Sequence, residues 1–233
     1  APSFIASFST FFLKNFKLII GERSANPSIL KSIRKKYMRR LNFRADYIVC
    51  NSFSNKLMLN NSFSFLNKDK IKVIYNIVDF KRFSFVGYEN NPKSDKKRLV
   101  IAASHQKLKN LSNLIKAVAC LNSNLKKQLV IDWYGRKDLN GVYENCLKEV
   151  LSLNLSSIFK FHDPVVNIEE KYAEADAVGL FSLYEGLPNT LCEAMSMGKI
   201  VLASDVSDNK LMINSQFLCN PNSVDSISEL LCR

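Results

Sequence analysis

Glycine, histidine and long apolar runs are all scarce in this sequence. Only 7 of the 233 residues are glycine, and neither a Gly-x-Gly-x-x-Gly nor a Walker motif occurs, which excludes the common glycine-rich nucleotide loops. Lys14 and Lys17 interrupt the Phe-rich start, so no run of about 18 uncharged apolar residues exists. The sequence therefore predicts neither a spanning helix nor a signal peptide. His105 and His162 lack Cys, Asp or Glu partners at metal-ligand spacing, so no metal site is expected.

The six cysteines include no Cys-x-x-Cys pair, and most of them stand within apolar segments. Reduced, buried thiols have this distribution, which predicts a reducing, cytoplasmic location.

Charge is distributed unevenly along the chain. Residues 1–99 hold 20 Lys and Arg against 6 Asp and Glu, a net charge of +14, whereas residues 100–233 hold 13 against 15, a net charge of −2. A basic half of this kind suits an anionic partner, either a nucleic acid or an acidic membrane surface. A general bias toward Asn, Lys, Ser and Phe explains the asymmetry equally well, so both interpretations stay open.

Strand and helix patterns alternate along the whole chain. From about residue 97, β-branched strands such as "RLVIAAS" and "QLVIDWYG" are each followed by a helical pattern, which predicts a parallel, Rossmann-like sheet covered by helices on both faces. Residues 1–75 repeat the alternation more briefly, with helices expected near 3–15 and 29–42, and 76–95 resemble a linker. We predict a partial first domain at 1–95 and a more complete second one at 96–233. Because the chain starts at Ala-Pro and stops within a helical pattern, we expect a fragment.

The segment "YEGLPNTLCEAM" joins a predicted strand to a helix that has Pro188 in its first turn and ends before Gly198. Ligands bind at this edge of open α/β sheets, and free N–H groups at a helix start suit a phosphate or diphosphate. Carboxylates accept hydrogen bonds from hydroxyls, so Glu185 and Glu193 could hold two sugar rings beside a diphosphate, as in a nucleotide sugar. The alternative is a solvated turn at Glu185 and an exposed helix face at Glu193.

The stretch from Tyr172 to Val206 resembles the signature of the retaining glycosyltransferases of family four, the glycosyl transferases group 1 of glycogen-synthase and mannosyltransferase type. Two Glu separated by seven residues, then Ala-Met and a Gly, carry the likeness. The segments "ERSANP", "ADYIVCNS", "IKVIYNIVD", "LKNLSNLIKAV" and "IDWYG" agree with the family in the same order. The resemblance implies a two-domain GT-B fold, retention at the anomeric carbon, no required metal and no cofactor, since the nucleotide sugar is a substrate.

The resemblance also assigns roles to residues of this chain. Glu185 would face the donor sugar, Glu193 the ribose hydroxyls, and Lys109 the diphosphate and the charge of the leaving group. Where the family has an Arg before that Lys, this chain has "ASHQKLKN", so Lys107 or His105 would supply the second charge. The resemblance also gives donor-binding roles to two further groups of residues. Those around the diphosphate would be Gly186, Leu187, Pro188, Asn189 and Thr190. Those near the base would be Asp163 and Val165.

The leading hypothesis is therefore transfer of a hexose or N-acetylhexosamine from a UDP-sugar to a saccharide or lipid-linked acceptor in cell-surface polysaccharide synthesis. The fragment alone is expected to be inactive. The basic pattern of residues 31–44, with Leu30, Ile33, Tyr37 and Leu41 on one stripe, favours peripheral docking on the inner membrane face, or a solvated surface helix. The competing hypothesis is a non-catalytic basic module that binds membrane or nucleic acid, although no nucleic acid is expected. A glycosidase is disfavoured, because both glutamates flank one helix start rather than a cleft.

Overall fold

The computed structural model describes residues 2–10, 16–23, 32–85 and 95–233, and contacts divide the chain into two compact units. The first unit comprises Ala1–Ile77 together with Tyr184–Leu187, and the second comprises Val78–Leu183 and Pro188–Arg233. Each unit is an α/β structure built on a parallel sheet, which confirms the predicted fold class. Parts of the two predicted N-terminal helices, residues 11–15 and 29–31, lie outside the described residues.

The first unit has a three-stranded parallel sheet in the order β1-β2-β3, formed by Ile19–Glu22, Tyr47–Cys50 and Ile71–Val73. Its helices are α1 Pro2–Ser9, α2 Ile33–Arg40 and α3 Phe53–Ser62. The helix α3 begins after Ser52 because the Ser52 hydroxyl accepts a hydrogen bond from the Asn55 N–H at 3.1 Å, which satisfies a donor of the first turn. A small apolar core, including Ile20, Ile48 and Leu59, lies beneath the sheet.

The second unit has a six-stranded sheet in the order β6-β5-β4-β7-β8-β9, and every pairing is parallel. Its strands are Lys97–Ala102, Leu129–Tyr134, Phe159–His162, Ala177–Leu180, Ile200–Ser204 and Leu218–Cys219, numbered β4 to β9 in that order. Its helices α4 to α10 are Leu111–Cys120, Ser123–Gln128, Val142–Ser152, Ile168–Ala173, Asn189–Ser196, Asn209–Met212 and Val224–Leu231. Relabelled from β4, the strand order is 3-2-1-4-5-6, that of dinucleotide-binding Rossmann sheets.

Burial explains why the strands of this second sheet are easy to recognise in the sequence. The central strands contribute side chains to the core from continuous apolar runs, and Ile101, Ile131 and Val178 are fully buried. Strands covered on both faces need such runs, since neither face meets water. The core also takes in Phe83, so the predicted linker at 76–95 contributes to the second unit, and the domain boundary near residue 95 stays a prediction.

Three short elements of the second unit were not predicted: the helices α5 and α9 and the strand β9. Each is six residues or shorter, so it contains too few residues to show a hydrophobic period. The helix predicted at the C-terminal end is confirmed as α10, which packs against α4.

The basic helix α2 exposes the apolar stripe that its sequence shows. Ile33 is 77% and Tyr37 is 67% exposed, while Leu30 and Lys31 lie outside the described residues. The Arg40 guanidinium lies over the Tyr37 ring, 5.7 Å from its centre. In the described parts of the chain, no helix is both long enough and apolar enough to cross a bilayer.

All six cysteines are free. Cys50, Cys146 and Cys219 are buried, as predicted, whereas Cys120 and Cys232 are exposed. Burial raises the pKa of Cys50 and Cys219 to about 12 and that of Cys146 to about 11, so these thiols stay protonated and unreactive near neutral pH.

Candidate functional site

The topology of the second unit selects one place on its sheet. The chain starts at β4 in the middle, proceeds outward through β5 and β6, and then returns to the other side of β4 as β7. The connections after β4 and β7 therefore leave the sheet side by side in opposite directions, and ligands of open α/β sheets bind in the crevice that this reversal creates. The two connections carry most of the residues that the sequence singled out.

Hydrogen bonds join these two connections directly. The Leu183 N–H, after β7, donates to the Leu108 carbonyl, after β4, at 2.8 Å. The buried Asn110 amide donates to the carbonyls of Phe181 at 3.0 Å and Pro221 at 2.8 Å. Asn110 also adopts a left-handed backbone with φ of 64°, a conformation that Asn tolerates better than most residues. The sequence analysis gave this residue no role, and its only signal was its position before α4.

The turn that Asn110 closes, Lys107–Lys109, places two lysines at this edge of the sheet. Lys107 is exposed and Lys109 is half-buried. The helix α8 starts close by, since the Thr190 hydroxyl donates to the Ala102 carbonyl at the end of β4, at 3.3 Å. The structure therefore brings the lysine turn and the start of α8 to one edge of the sheet.

The first turn of α8 has its N–H groups at this same edge. Pro188 occupies the position immediately before the first helical residue, one place earlier than predicted, and has no side-chain acceptor to cap those groups. Gly198 takes a left-handed φ of 75° after the last turn, which confirms the predicted end of the helix. The start of α8 thus presents the positive end of a helix dipole at this edge, which favours an anion.

Glu193 lies one turn into α8 and is half-buried. Burial raises the pKa of its carboxyl group, while the positive charge of Arg82 lowers it and the negative charge of Glu169 raises it further. Its environment is thus partly shielded from water, unlike the exposed helix face of the alternative interpretation. A carboxylate in such surroundings gains from hydrogen-bond donors that a ligand supplies.

Arg82 is a neighbour of Glu193 that the sequence analysis missed, because it falls in the predicted linker. Its Nε and Nη2 donate to the Glu169 carboxylate at 2.8 and 2.6 Å, and Nη2 also donates to the Val166 carbonyl. The pair lowers the pKa of Glu169 through the Arg82 hydrogen bonds. Only a contact between residues 87 positions apart reveals this pair, and no local pattern could have shown it.

His105 does not supply the positive charge that was assigned to either it or Lys107. Only 1% of the residue is exposed, and its ring packs against Trp133, Tyr143 and Phe161 at centre distances of 4.9 to 5.7 Å. Burial is the main cause that lowers the pKa of His105, and nearby Lys137 adds to it, so the ring is neutral at pH 7. Of the two candidates, Lys107 remains.

The residues predicted to lie near the base are at the end of the strand β6. Asp163 and Val165 follow β6, two strands away from β4 at the same carboxyl edge, and both are exposed. His162 at the end of β6 is bonded to the buried Asp132 carboxylate at 2.7 Å and stacks on Tyr134. Among the described residues, no group of three or more His, Cys, Asp or Glu is arranged to hold a metal ion.

The remaining predicted residues are Glu185, Gly186 and Leu187. Their contacts assign them to the first unit, although the residues before and after them in the sequence belong to the second. Glu185 is half-buried, while Gly186 and Leu187 are buried. The resemblance places Gly186 beside the diphosphate, and in the structure protein atoms occupy the space where a side chain at this position would lie. An added Cβ would lie 2.4 Å from the Arg23 carbonyl oxygen and 2.8 Å from Asn51 Oδ1.

A comparison with protein families decides the identity. The family model described as glycosyl transferases group 1 matches residues 88–233. The chain belongs to this family. The matched part contains the whole second sheet with Lys109, Glu193 and the connections at its central edge, so the recognised signature is confirmed.

Solved structures place the fold of this glycosyltransferase-family chain in the GT-B type. HepE of Anabaena in complex with UDP and glucose superposes with a TM-score of 0.84 at 18% identity, over 99% of this chain and 64% of HepE. Sucrose-phosphate synthase of Thermosynechococcus elongatus gives 0.80 at 17% identity, over 97% and 60%. The apo form of the lipopolysaccharide outer core galactosyltransferase WaaB gives 0.70 at 21% identity, over 99% and 62%.

The chain thus spans a little under two thirds of the length of these structures. A search of curated protein sequences gave no significant match.

Proposed function

We propose that the chain binds a UDP-sugar donor and belongs to an enzyme that transfers its hexose or N-acetylhexosamine, with retention, to a saccharide or lipid-linked acceptor in cell-surface polysaccharide synthesis. The observation that carries the proposal is the hydrogen-bonded junction of the Lys107–Lys109 turn, the β7 connection and the start of α8 at the reversal of the second sheet. Family membership and the UDP bound in the HepE structure support it.

In this proposal, different residues of the second unit bind the diphosphate, the ribose and the base of the nucleotide. The N–H groups of Asn189 and Thr190 and the Lys109 ammonium hold the diphosphate, with Lys107 as the second charge. Glu193 accepts hydrogen bonds from the ribose hydroxyls, as its half-buried position allows. Asp163 and Val165, at the end of β6, border the base.

The loop Tyr184–Leu187 contributes the sugar contact. Glu185 accepts hydrogen bonds from the hydroxyls of the donor sugar, and the backbone from Gly186 onward borders the diphosphate. The proposed chemistry needs no metal or cofactor: positioning of the donor and positive charge beside the leaving diphosphate are the protein's contribution. We further propose a cytoplasmic location with peripheral docking on the inner membrane face.

Titration of UDP into the 233-residue chain tests the donor site. Glu193→Ala should weaken UDP binding by about 1 to 3 kcal/mol, because it removes a charged acceptor of two hydroxyls. Glu229→Ala, which removes an exposed carboxylate from α10 of the same unit, is the matched control and should bind like wild type. Unchanged affinity in Glu193→Ala would remove the ribose assignment.

A second candidate function is favoured by the exposed, basic helix α2, with Arg34, Lys36 and Arg40 around Ile33 and Tyr37. In this alternative the first unit is a module that binds an anionic membrane or a nucleic acid. A short DNA duplex titrated in parallel with UDP separates the two functions. The module should prefer the duplex, with an affinity that falls steeply as salt rises, whereas the donor site should prefer UDP.

A further inference from the structure

The loop that carries Glu185 is held by residues far from it in sequence. Tyr184–Leu187 connects β7 to α8, yet its contacts place it in the first unit, among the ends of β1, β2 and β3. Two of its residues, Gly186 and Leu187, are buried there, and Glu185 immediately precedes them. The position of Glu185 therefore depends on what fixes its two neighbours.

Gly186 is fixed by close packing. A Cβ at this position would lie 2.4 Å from the Arg23 carbonyl oxygen, 2.8 Å from Asn51 Oδ1 and 3.0 Å from Asn51 Nδ2. Side chains do not approach other heavy atoms so closely, so only glycine fits between the end of β1 and the Asn51 amide. The backbone of the loop consequently rests on Asn51.

Asn51 is itself immobilised. Only 6% of the residue is exposed, and its Oδ1 accepts a hydrogen bond from the fully buried Asn55 amide at 2.8 Å. Asn55 is anchored in turn by its N–H bond to the Ser52 hydroxyl at the start of α3. The Asn55 amide also donates to the Glu22 carbonyl at 3.5 Å, so Asn51 belongs to a buried set of hydrogen bonds that links the ends of β1 and β2.

Asn76, just after β3, holds the next residue of the loop. Its Nδ2 donates to the Leu187 carbonyl at 3.4 Å, in a partly buried position. Packing at 186 and a hydrogen bond at 187 together fix the chain on the C-terminal side of Glu185.

We infer that Asn51 and Asn76 are positioning residues that set recognition of the donor's sugar ring by fixing the loop that carries Glu185. This inference rests on the proposed function, in which Glu185 contacts that ring. A carboxylate accepts from a hydroxyl only over a narrow range of distance and angle, so displacement of the loop by 1 Å abolishes the contact. Binding of the nucleotide depends less on these asparagines, because Lys109, Glu193 and the N–H groups at the start of α8 lie outside the loop.

The experiment compares UDP with UDP-sugars in the 233-residue chain. UDP, UDP-glucose, UDP-galactose and UDP-N-acetylglucosamine are titrated calorimetrically, and the ratio of the dissociation constants of UDP and the best-bound UDP-sugar measures sugar recognition. Glu185→Gln should lower this ratio about tenfold, and Asn51→Ala and Asn76→Ala about threefold to tenfold, while the dissociation constant for UDP changes by less than about threefold. Asn76→Asp, which keeps the shape but removes the donor, should match Asn76→Ala.

Asn67→Ala is the control, since Asn67 is in the same unit and its side chain bonds only within its own exposed turn, to the Asp69 N–H. It should leave the ratio at the wild-type value. If Asn51→Ala does not fold, because it removes the 2.8 Å hydrogen bond of the buried Asn55 amide, the two Asn76 variants decide alone.

The outcomes separate the two proposals. A wild-type chain that binds no UDP overturns the proposed function. A wild-type chain that distinguishes UDP-sugar from UDP through Glu185, with asparagine variants that keep the wild-type ratio, overturns the positioning role only. Equal losses of UDP and UDP-sugar affinity in the asparagine variants, or a wild-type chain that binds UDP and UDP-sugars equally, also overturn it.

Discussion

The two units differ in how well each covers its apolar residues. The strands of the first unit expose Ile19 and Tyr47, and its helices expose Phe8 and Ile33. The central strands of the second unit bury most of their apolar side chains, and the half of the chain that forms most of this unit is nearly neutral. Burial of apolar surface is the main stabilising contribution, so the second unit should carry most of the stability of this chain.

The proposed binding roles are also distributed between the two units. The donors for the nucleotide stand on the well-packed unit, where strand ends and turns are tightly fixed, as a binding site needs. The sugar-facing loop is held by the less covered unit through a few specific contacts. Substitutions in the two units should therefore have different consequences.

The largest expected effect follows from alanine at Gly135. A Cβ there would lie 1.8 Å from the Ala103 carbonyl oxygen, a backbone atom that cannot move aside without disturbing the end of β4. Gly135→Ala should lower the free energy of unfolding by about 3 kcal/mol or more. Gly21→Ala, on β1 of the first unit, places its Cβ where no atom lies within 4 Å. That matched substitution should change stability by less than about 1 kcal/mol.

Urea unfolding distinguishes the units in this experiment. Trp133, the only tryptophan, is buried in the second unit and donates to the Ala103 carbonyl at 2.7 Å, so its emission reports that unit. Circular dichroism reports both units. Equal losses in the two variants would contradict the contrast in packing.

The second sheet could be predicted because its strands are continuous apolar runs that alternate with amphipathic helices. The position of the proposed site followed from the same order, since parallel strands present their carboxyl ends at one edge. The start of α8 was thus predictable from the pattern of the sequence, whereas only the resemblance to the family singled out Lys109.

Other features depend on contacts between distant residues and were not predictable. The bonds of Asn110 to Phe181 and Pro221, the approach of Arg82 to Glu193, and the packing of Gly186 on Asn51 have no local period. The burial of His105 was missed because a lone histidine after a strand has the same pattern whether it is buried or exposed. In each case tertiary packing decides what the local sequence leaves open.

The next largest expected effect is the loss of UDP affinity when a lysine is removed, which should depend on the unit that carries the lysine. Lys109→Ala, in the unit with little net charge, should weaken UDP binding by about 1 to 2 kcal/mol, because it removes a cation from the diphosphate. Lys72→Ala removes an exposed lysine from β3 of the strongly basic first unit and should leave UDP affinity unchanged. Equal losses in titrations of the two variants would mean that general positive charge, rather than a defined site, attracts the nucleotide.

The smallest effect is a pH dependence confined to the second unit, which contains both histidines. Burial lowers the pKa of His105 below 6.5 in the folded state, so the unfolded chain takes up the proton first as pH falls. The associated stability is complete above pH 6.5 and is lost as pH falls through the lowered pKa, by about 1 kcal/mol or less between pH 6.5 and 5.5. Urea midpoints followed by Trp133 emission should therefore fall more steeply with acid in wild type than in His105→Gln. Parallel slopes in wild type and His105→Gln would show that other groups, and not this buried ring, make the second unit sensitive to acid.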